Sequence, residues 1–441
     1  MTTATHLSDQ QAKTRSLSTF SLPVELTPEH RLLLLCARQE LTPVEAIELT
    51  ALLDQRLDWE TAVHDARWHK LSGFMYQHLH NAPYARRLPE GVLAAVKGDY
   101  ARNTARYLYY RTELVRIVRQ LNEASIPVIA LKGSALMRFV YTSPGVRPMA
   151  DIDLLVPDAD VHRAHDIVKG MGYRAAEDDS EDPRHWELHQ HLPILIGLDR
   201  AVAVEVHRHV VRKDSALAFN IDDFWSRAKW TDFDGVPVRV LAPEDLLLHL
   251  AVNFFRDRRF YSLAALSQLT DIAEVCRFHA RSEGIDWATL RSRARNYGID
   301  GPVACALTLA AGLVDAPVPS STVGSMWPRE VPTKELAVFA SERVLACRSW
   351  TATELVPAGK AYGLRSLIGA TLRRLFPSRA HMTKQYGQAG VAVYARHVGQ
   401  RLPGLLHILI RPWSIGGELT VDRWMHSLYR KPPTAADMTD D

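Results

Sequence analysis

One eight-residue stretch limits the folds open to this chain more than any other: Met149-Ala150-Asp151-Ile152-Asp153-Leu154-Leu155-Val156. On a strand, side chains alternate between faces. Ile152, Leu154 and Val156 then point into a core, and Asp151 and Asp153 share the other face. Two carboxylates held close together repel each other unless a cation sits between them. A hard, oxygen-seeking divalent ion such as Mg²⁺ (or Mn²⁺) suits that arrangement. Upstream, Val128 to Leu131 is a short apolar run that reads as a buried strand. Lys132-Gly133-Ser134 breaks it. Glycine permits a sharp turn and close approach to the backbone. Ser134 is placed to N-cap a helix beginning ALMRFVY. A helix starting directly after a strand turns free N–H groups towards an anion.

A third acid lies in Ala201-Val202-Ala203-Val204-Glu205-Val206-His207. By the same alternation Glu205 and His207 share a face, and Val202, Val204 and Val206 share the other. If this strand lies beside the Asp151–Asp153 strand, three carboxylates converge. That is enough to hold two metal ions ~3.5–4 Å apart, clamp a triphosphate and activate an attacking oxygen. An Asp-x-Asp pair alone is a weak signal. The combination of glycine-serine turn, paired aspartates on an apolar strand and an acid among valines is a stronger one.

The combination resembles the nucleotidyltransferase superfamily of the DNA polymerase β type. LKGSAL…Y…R…DIDLLV is more closely similar to the bacterial uncharacterised nucleotidyltransferase family, some of whose members accompany peptide natural-product gene clusters. The resemblance spans roughly Val115 to Ile299, and the gap from Ser134 to Asp151 is longer than in the minimal superfamily pattern. It implies transfer of NMP from an NTP, ATP among them, to a small molecule, peptide or protein, with release of pyrophosphate. Asp151, Asp153 and Glu205 would be the catalytic and metal-binding residues. Gly133 and Ser134 would hold the β- or γ-phosphate, with Lys132 and Arg147 neutralising phosphate charge or, alternatively, forming ordinary surface ion pairs. His191 matches a histidine that recurs in the family before the first hairpin strand. Asp271 matches a family aspartate expected to pack helices rather than bind metal. His207 and Arg208 are candidates for the acceptor side or for support of the acids. Two other readings stay open: a non-catalytic nucleotide-binding or scaffold protein, and a kinase-like phosphotransferase that would release NDP.

The chain has 441 residues, too many for one typical domain. Its fold is expected to be α/β of the α+β kind: a small mixed β-sheet flanked by N-terminal and C-terminal helical domains. The expected divisions are a polar, disordered N-terminus (1–25), a helical N-terminal region (26–105) that packs or covers, the nucleotidyltransferase core (106–241), a helical domain (242–315), a Pro/Ser-rich linker (316–333), a C-terminal helical region (334–433) and a disordered tail (434–441). Helices are expected from Pro89 to about Tyr110 and from Thr112 to Ala124, and a hairpin around Gly197-Leu198-Asp199-Arg200. With 53 basic and 50 acidic residues, the balance gives no support for an extended nucleic-acid surface. The basic segment from Leu364 to Arg379 reads as a solvated helix face or a contact for an anionic partner. Cys36, Cys276, Cys305 and Cys347 form no CxxC pair, and a cytoplasmic location with buried free thiols is expected. The five histidines between Arg184 and His209 match no standard zinc spacing. No run of ~20 apolar residues is present to span a membrane.

Overall fold

Two Thr-Pro pairs begin the chain's first helices, because proline suits the first helical position and threonine the cap before it. The computed structural model describes residues 22–176, 187–197, 202–213, 219–258, 265–282, 284–327 and 330–347, with Gly390, Tyr394, Val398, Trp424 and Leu428. Helix α1 (Pro28–Cys36) is capped by Thr27, whose hydroxyl accepts from His30 N–H at 3.2 Å. Helix α2 (Pro43–Leu53) carries a full capping box between Thr42 and Glu45. Helices α3 (Trp59–Trp68), α4 (Ser72–Leu79) and the short α5 (Ala82–Ala85) follow. Helix α6 (Val92–Glu123) is 32 residues long. The two helices expected here are therefore one: Arg111 is neither glycine nor proline, and nothing around it stops the helix. The expected division between residues 105 and 106 falls inside α6.

The sheet comes next. Strand β1 (Ile129–Ala130) leads into α7 (Lys132–Phe139), then β2 (Ile152–Leu155), α8 (Val161–Gly170), β3 (Tyr173–Ala175), β4 (Leu195–Gly197) and β5 (Ala203–His207). Helix α9 (Ile221–Arg227) and the hairpin β6 (Lys229–Phe233) and β7 (Val236–Val240) complete it. The seven strands run β3-β4-β5-β2-β1-β7-β6. β2 pairs parallel with β5 and antiparallel with β1, so the sheet is mixed. β4 and β5 form the expected hairpin, with Ile196 opposite Ala203. Strand β6 was not anticipated. It lies at the sheet edge with its polar residues largely in solvent, so KWTDF lacks the apolar alternation of a half-buried strand. Its turn, Asp234 (φ +54°) and Gly235 (φ +82°), places both residues in the left-handed region, as a tight hairpin requires.

Helices α10 (Pro243–Arg258), α11 (Ala265–Ala280), α12 (Trp287–Asn296) and α13 (Asp300–Val314) pack behind. The segment read as a linker instead contains α14 (Ser320–Met326), because Val318, Val323, Met326 and Trp327 bury their side chains despite the surrounding Pro and Ser. Helix α15 (Thr333–Phe339) continues into a π-helical turn at Ala340–Leu345. Most of the expected C-terminal helical region, the basic segment Leu364–Arg379, the tail 434–441 and residues 1–21 lie outside the described residues. Leu22 is buried. No helix among the described residues is long and apolar enough to cross a membrane.

The N-terminal helices are fastened to the rest at two places. The Gln39 amide donates to Glu274 of α11 at 2.7 Å and to Val140 O at 3.0 Å, while its oxygen accepts from Thr142 N–H at 2.7 Å. At the start of α4, Gly73 lies against the carbonyls of Gly145 and Val146, leaving no room for a Cβ. Asn103 Nδ2 donates to the same Gly145 carbonyl at 3.0 Å. The backbone cannot yield as a flexible side chain would. Gly73→Ala is therefore expected to destabilise the protein by about 2 kcal/mol in urea denaturation. Gly170→Ala, with open space around it, should be neutral or stabilising. Equal stabilities for the two variants would contradict this packing.

Candidate active site

Parallel pairing of β2 with β5 sets Asp153 opposite Glu205 and Leu155 opposite His207. Opposed residues of paired strands face the same side, so one sheet face carries Asp153, Glu205 and His207, and Asp151 two residues earlier on β2's approach. Asp153 is 0% exposed. A buried carboxylate requires charged partners, and it has two. Lys132 Nζ donates to Asp153 Oδ1 at 2.7 Å, and His207 Nε2 lies 2.9 Å from the same oxygen. His207 Nε2 is also 3.1 Å from Glu205 Oε2, and His191 Nε2 is 3.9 Å from that oxygen.

The turn before α7 is built to hold Asp153. Leu131 N–H donates to Asp153 O at 3.1 Å, and Asp153 N–H donates to Ser134 Oγ at 3.2 Å. Ser134 is thus not the helix cap expected from the sequence. The helix begins at Lys132, two residues earlier, with Leu131 in the cap position, and Ser134 N–H donates to Leu131 O at 3.0 Å. Lys132 adopts φ +42°, a left-handed backbone that L-residues other than Gly, Asn and Asp avoid. That conformation accompanies its reach to Asp153. A Cβ on Gly133 would lie 2.8 Å from Arg147 Nη1, so glycine here admits the guanidinium. Arg147 in turn is held by Asp271 of α11 through two hydrogen bonds, 2.7 and 2.9 Å, and Tyr141 OH donates to the same carboxylate at 2.6 Å. Asp271 therefore joins a helix to the loop bearing Arg147. Arg208 pairs with Asp158. Of the histidine-rich segment, His189, His191 and His207 meet edge to face in a row, with ring centroids 4.4 and 5.1 Å apart. His185 lies outside the described residues.

The electrostatics result from crowding three acids with one lysine. The Asp151 pKa is pushed up to about 7, first by the Asp153 charge and then by burial. For Asp153, burial raises the pKa, but Lys132 and His207 outweigh it and hold the carboxyl well below the usual range. Burial likewise opposes ionisation of His207, yet its hydrogen bonds to Asp153 and Glu205 raise its pKa above the ordinary value. Asp153, Glu205 and His207 bring one ligand atom each within 4.8 Å of one another, close enough to share a metal ion. Asp153 Oδ2 is buried with no hydrogen-bond partner. An oxygen in that state fits a cation ligand.

The site opens into a cleft of about 310 Å³, in the range of small-molecule sites. Lys132, Arg147, Asp151, His191 and Glu205 line it, and so do Lys70 from the α3–α4 turn and Asn253 of α10. Lys70 and Asn253 were not singled out from the sequence. Nothing distinguishes a turn lysine or a helical asparagine from ordinary surface residues until the fold brings them together.

Residues 55–315 match the model of a family described as uncharacterised nucleotidyltransferase. No curated protein matches the chain. A solved structure, described as the crystal structure of an antigenic nucleotidyltransferase-like protein from Paracoccidioides brasiliensis, is 15% identical over 48% of this chain and 95% of that one, with a TM-score of 0.29. A likeness at that score carries no weight for the function.

The ion pair at the centre makes a stability prediction. Lys132→Met leaves Asp153 buried and charged, and should destabilise the metal-free protein by roughly 3–5 kcal/mol. Adding Asp153→Asn should recover much of the loss in denaturant titrations. If the double variant loses the sum of the two single losses, Lys132 and Asp153 do not depend on each other as described.

Proposed function

The chain belongs to the uncharacterised nucleotidyltransferase family, and on that premise we propose that it transfers NMP from an NTP to a nucleophile on a small molecule, peptide or protein. The observation that carries this reading is the register that sets Asp153 beside Glu205, with Asp151 on the same face. In the reaction, an acceptor oxygen attacks the α-phosphorus, the bond from that phosphorus to the bridging oxygen of the β-phosphate breaks, and pyrophosphate leaves with the bonding pair. Asp151, Asp153 and Glu205 would hold a divalent ion, Mg²⁺ or Mn²⁺, and the unpartnered Asp153 Oδ2 supports that assignment. Bound there, such an ion supplies positive charge against the triphosphate.

The protein's own groups do the rest. Glu205 takes the acceptor's proton, and the hydrogen bond from His207 keeps its carboxylate aimed. Lys132 offsets negative charge on Asp153 and on the departing pyrophosphate. The first N–H groups of α7, at Lys132 and Gly133, face an anion at the helix start. Ser134 serves by fixing the Asp153 backbone. Arg147 lines the same cleft and adds positive charge while braced by Asp271. His191 stands beside Glu205 on the acceptor side.

The test supplies each NTP with Mg²⁺ and a cell extract, and reads pyrophosphate release and a mass gain of one NMP on extract components. Native protein should release pyrophosphate. Asp151→Asn/Asp153→Asn should lose at least ~100-fold in rate, several kcal/mol of charge stabilisation. Release of NDP would favour phosphoryl transfer instead. Equal nucleotide binding by both proteins with no turnover in either would favour a scaffold role.

A further inference from the structure

We propose that Lys70, which the helices N-terminal to the sheet contribute to the cleft, binds the β,γ-phosphate end of the nucleotide opposite the three carboxylates. This rests on the nucleotidyl-transfer reading and deepens it.

The first observation is backbone conformation. Helix α3 ends in a motif in which Leu71 N–H reaches back to Ala66 O at 2.7 Å and Lys70 N–H to Arg67 O at 3.1 Å. The residue that closes such a turn adopts a left-handed conformation and is usually glycine. Here it is Lys70, at φ +58°. Its neighbours His69 and Leu71 are both fully buried, so the backbone at this point is fixed. A non-glycine residue kept in this conformation carries a backbone cost that a function of its side chain can offset.

The second observation is charge. Three cations line the cleft: Lys70, Lys132 and Arg147. Lys132 is committed to Asp153, and Arg147 to Asp271 through both arms of its guanidinium. Lys70 has no carboxylate within ion-pair distance among the described residues. Burial, and then the neighbouring Arg147, hold its ammonium below the ordinary lysine range, against the weaker opposing pull of the Asp151 and Asp271 carboxylates. If the α-phosphate reacts at Asp151, Asp153 and Glu205, the remaining phosphate charge must lie elsewhere in the same cleft. Lysine is a good point-charge partner for phosphate.

The third observation is rigidity. Gly73, three residues on, is pressed against the Gly145 and Val146 carbonyls, immediately before Arg147. The turn bearing Lys70 and the loop bearing Arg147 therefore form one wall of the site.

The experiment measures, by calorimetry with Mg²⁺, binding of α,β-methylene NTP analogues and of the matching NMPs to native protein, Lys70→Gly and Lys70→Arg. Native protein should prefer the triphosphate. Lys70→Gly should weaken triphosphate binding about 10- to 100-fold, as expected for a lost charged hydrogen bond, with NMP binding unchanged. Its melting temperature should equal or exceed the native one, because glycine adopts this backbone without strain. Lys70→Arg should retain most of the preference. Lys70→Gly binding triphosphate as native does, or losing NTP and NMP equally, overturns the assignment of Lys70 and leaves nucleotidyl transfer standing. Native protein binding neither nucleotide overturns both.

Discussion

The Asp153 carboxylate is the group on which the rest of the site depends. It is fully buried on a central strand, and a charge there persists only because Lys132 and His207 meet it at hydrogen-bonding distance. Each of those partners is itself constrained. Lys132 accepts a left-handed backbone, and His207 is fixed between two acids. Two hydrogen bonds, one between backbone groups (Leu131 N–H to Asp153 O) and one from backbone to side chain (Asp153 N–H to Ser134 Oγ), tie the turn to the strand. The turn, strand β2 and strand β5 are thus joined to one another, and the charged cleft stands beside them.

The helices around the sheet are more than a support. α11 supplies Asp271, which braces Arg147, and Glu274, which receives Gln39 from the end of α1. The α3–α4 turn brings Lys70 to the cleft from more than sixty positions before Lys132 in the chain. Charge from three separate stretches of sequence is gathered round one space. With a divalent ion on the carboxylates, that arrangement would suit a polyanionic ligand better than a neutral one.

Much of this was legible in the sequence because strand alternation is a strict rule. It placed Asp151 with Asp153, and Glu205 with His207, on shared faces. The hairpin at Gly197 is equally readable, whereas the break expected at Gly133-Ser134 comes earlier, with both residues already in the helix that starts at Lys132. The neighbour relation of β2 and β5 was a supposition, since parallel partners separated by about fifty residues leave no local mark. Ser134 holds the strand rather than capping the helix, and a serine before an apolar run looks the same in either role. The α14 segment hid behind its prolines and serines, and its buried Trp327 was the clue outweighed by composition. Lys70 carried no signal at all, because its importance lies in a turn geometry and a distant loop.

The central claim is that Asp151, Asp153 and Glu205 together bind a divalent ion in the presence of nucleotide. The most direct test is electron paramagnetic resonance titration of Mn²⁺ into native protein and Glu205→Gln, each with an α,β-methylene NTP analogue. Native protein should bind Mn²⁺ tightly, and Glu205→Gln should weaken that binding by at least ~10-fold. Equal Mn²⁺ binding by the two proteins, or none by either, would contradict the claim.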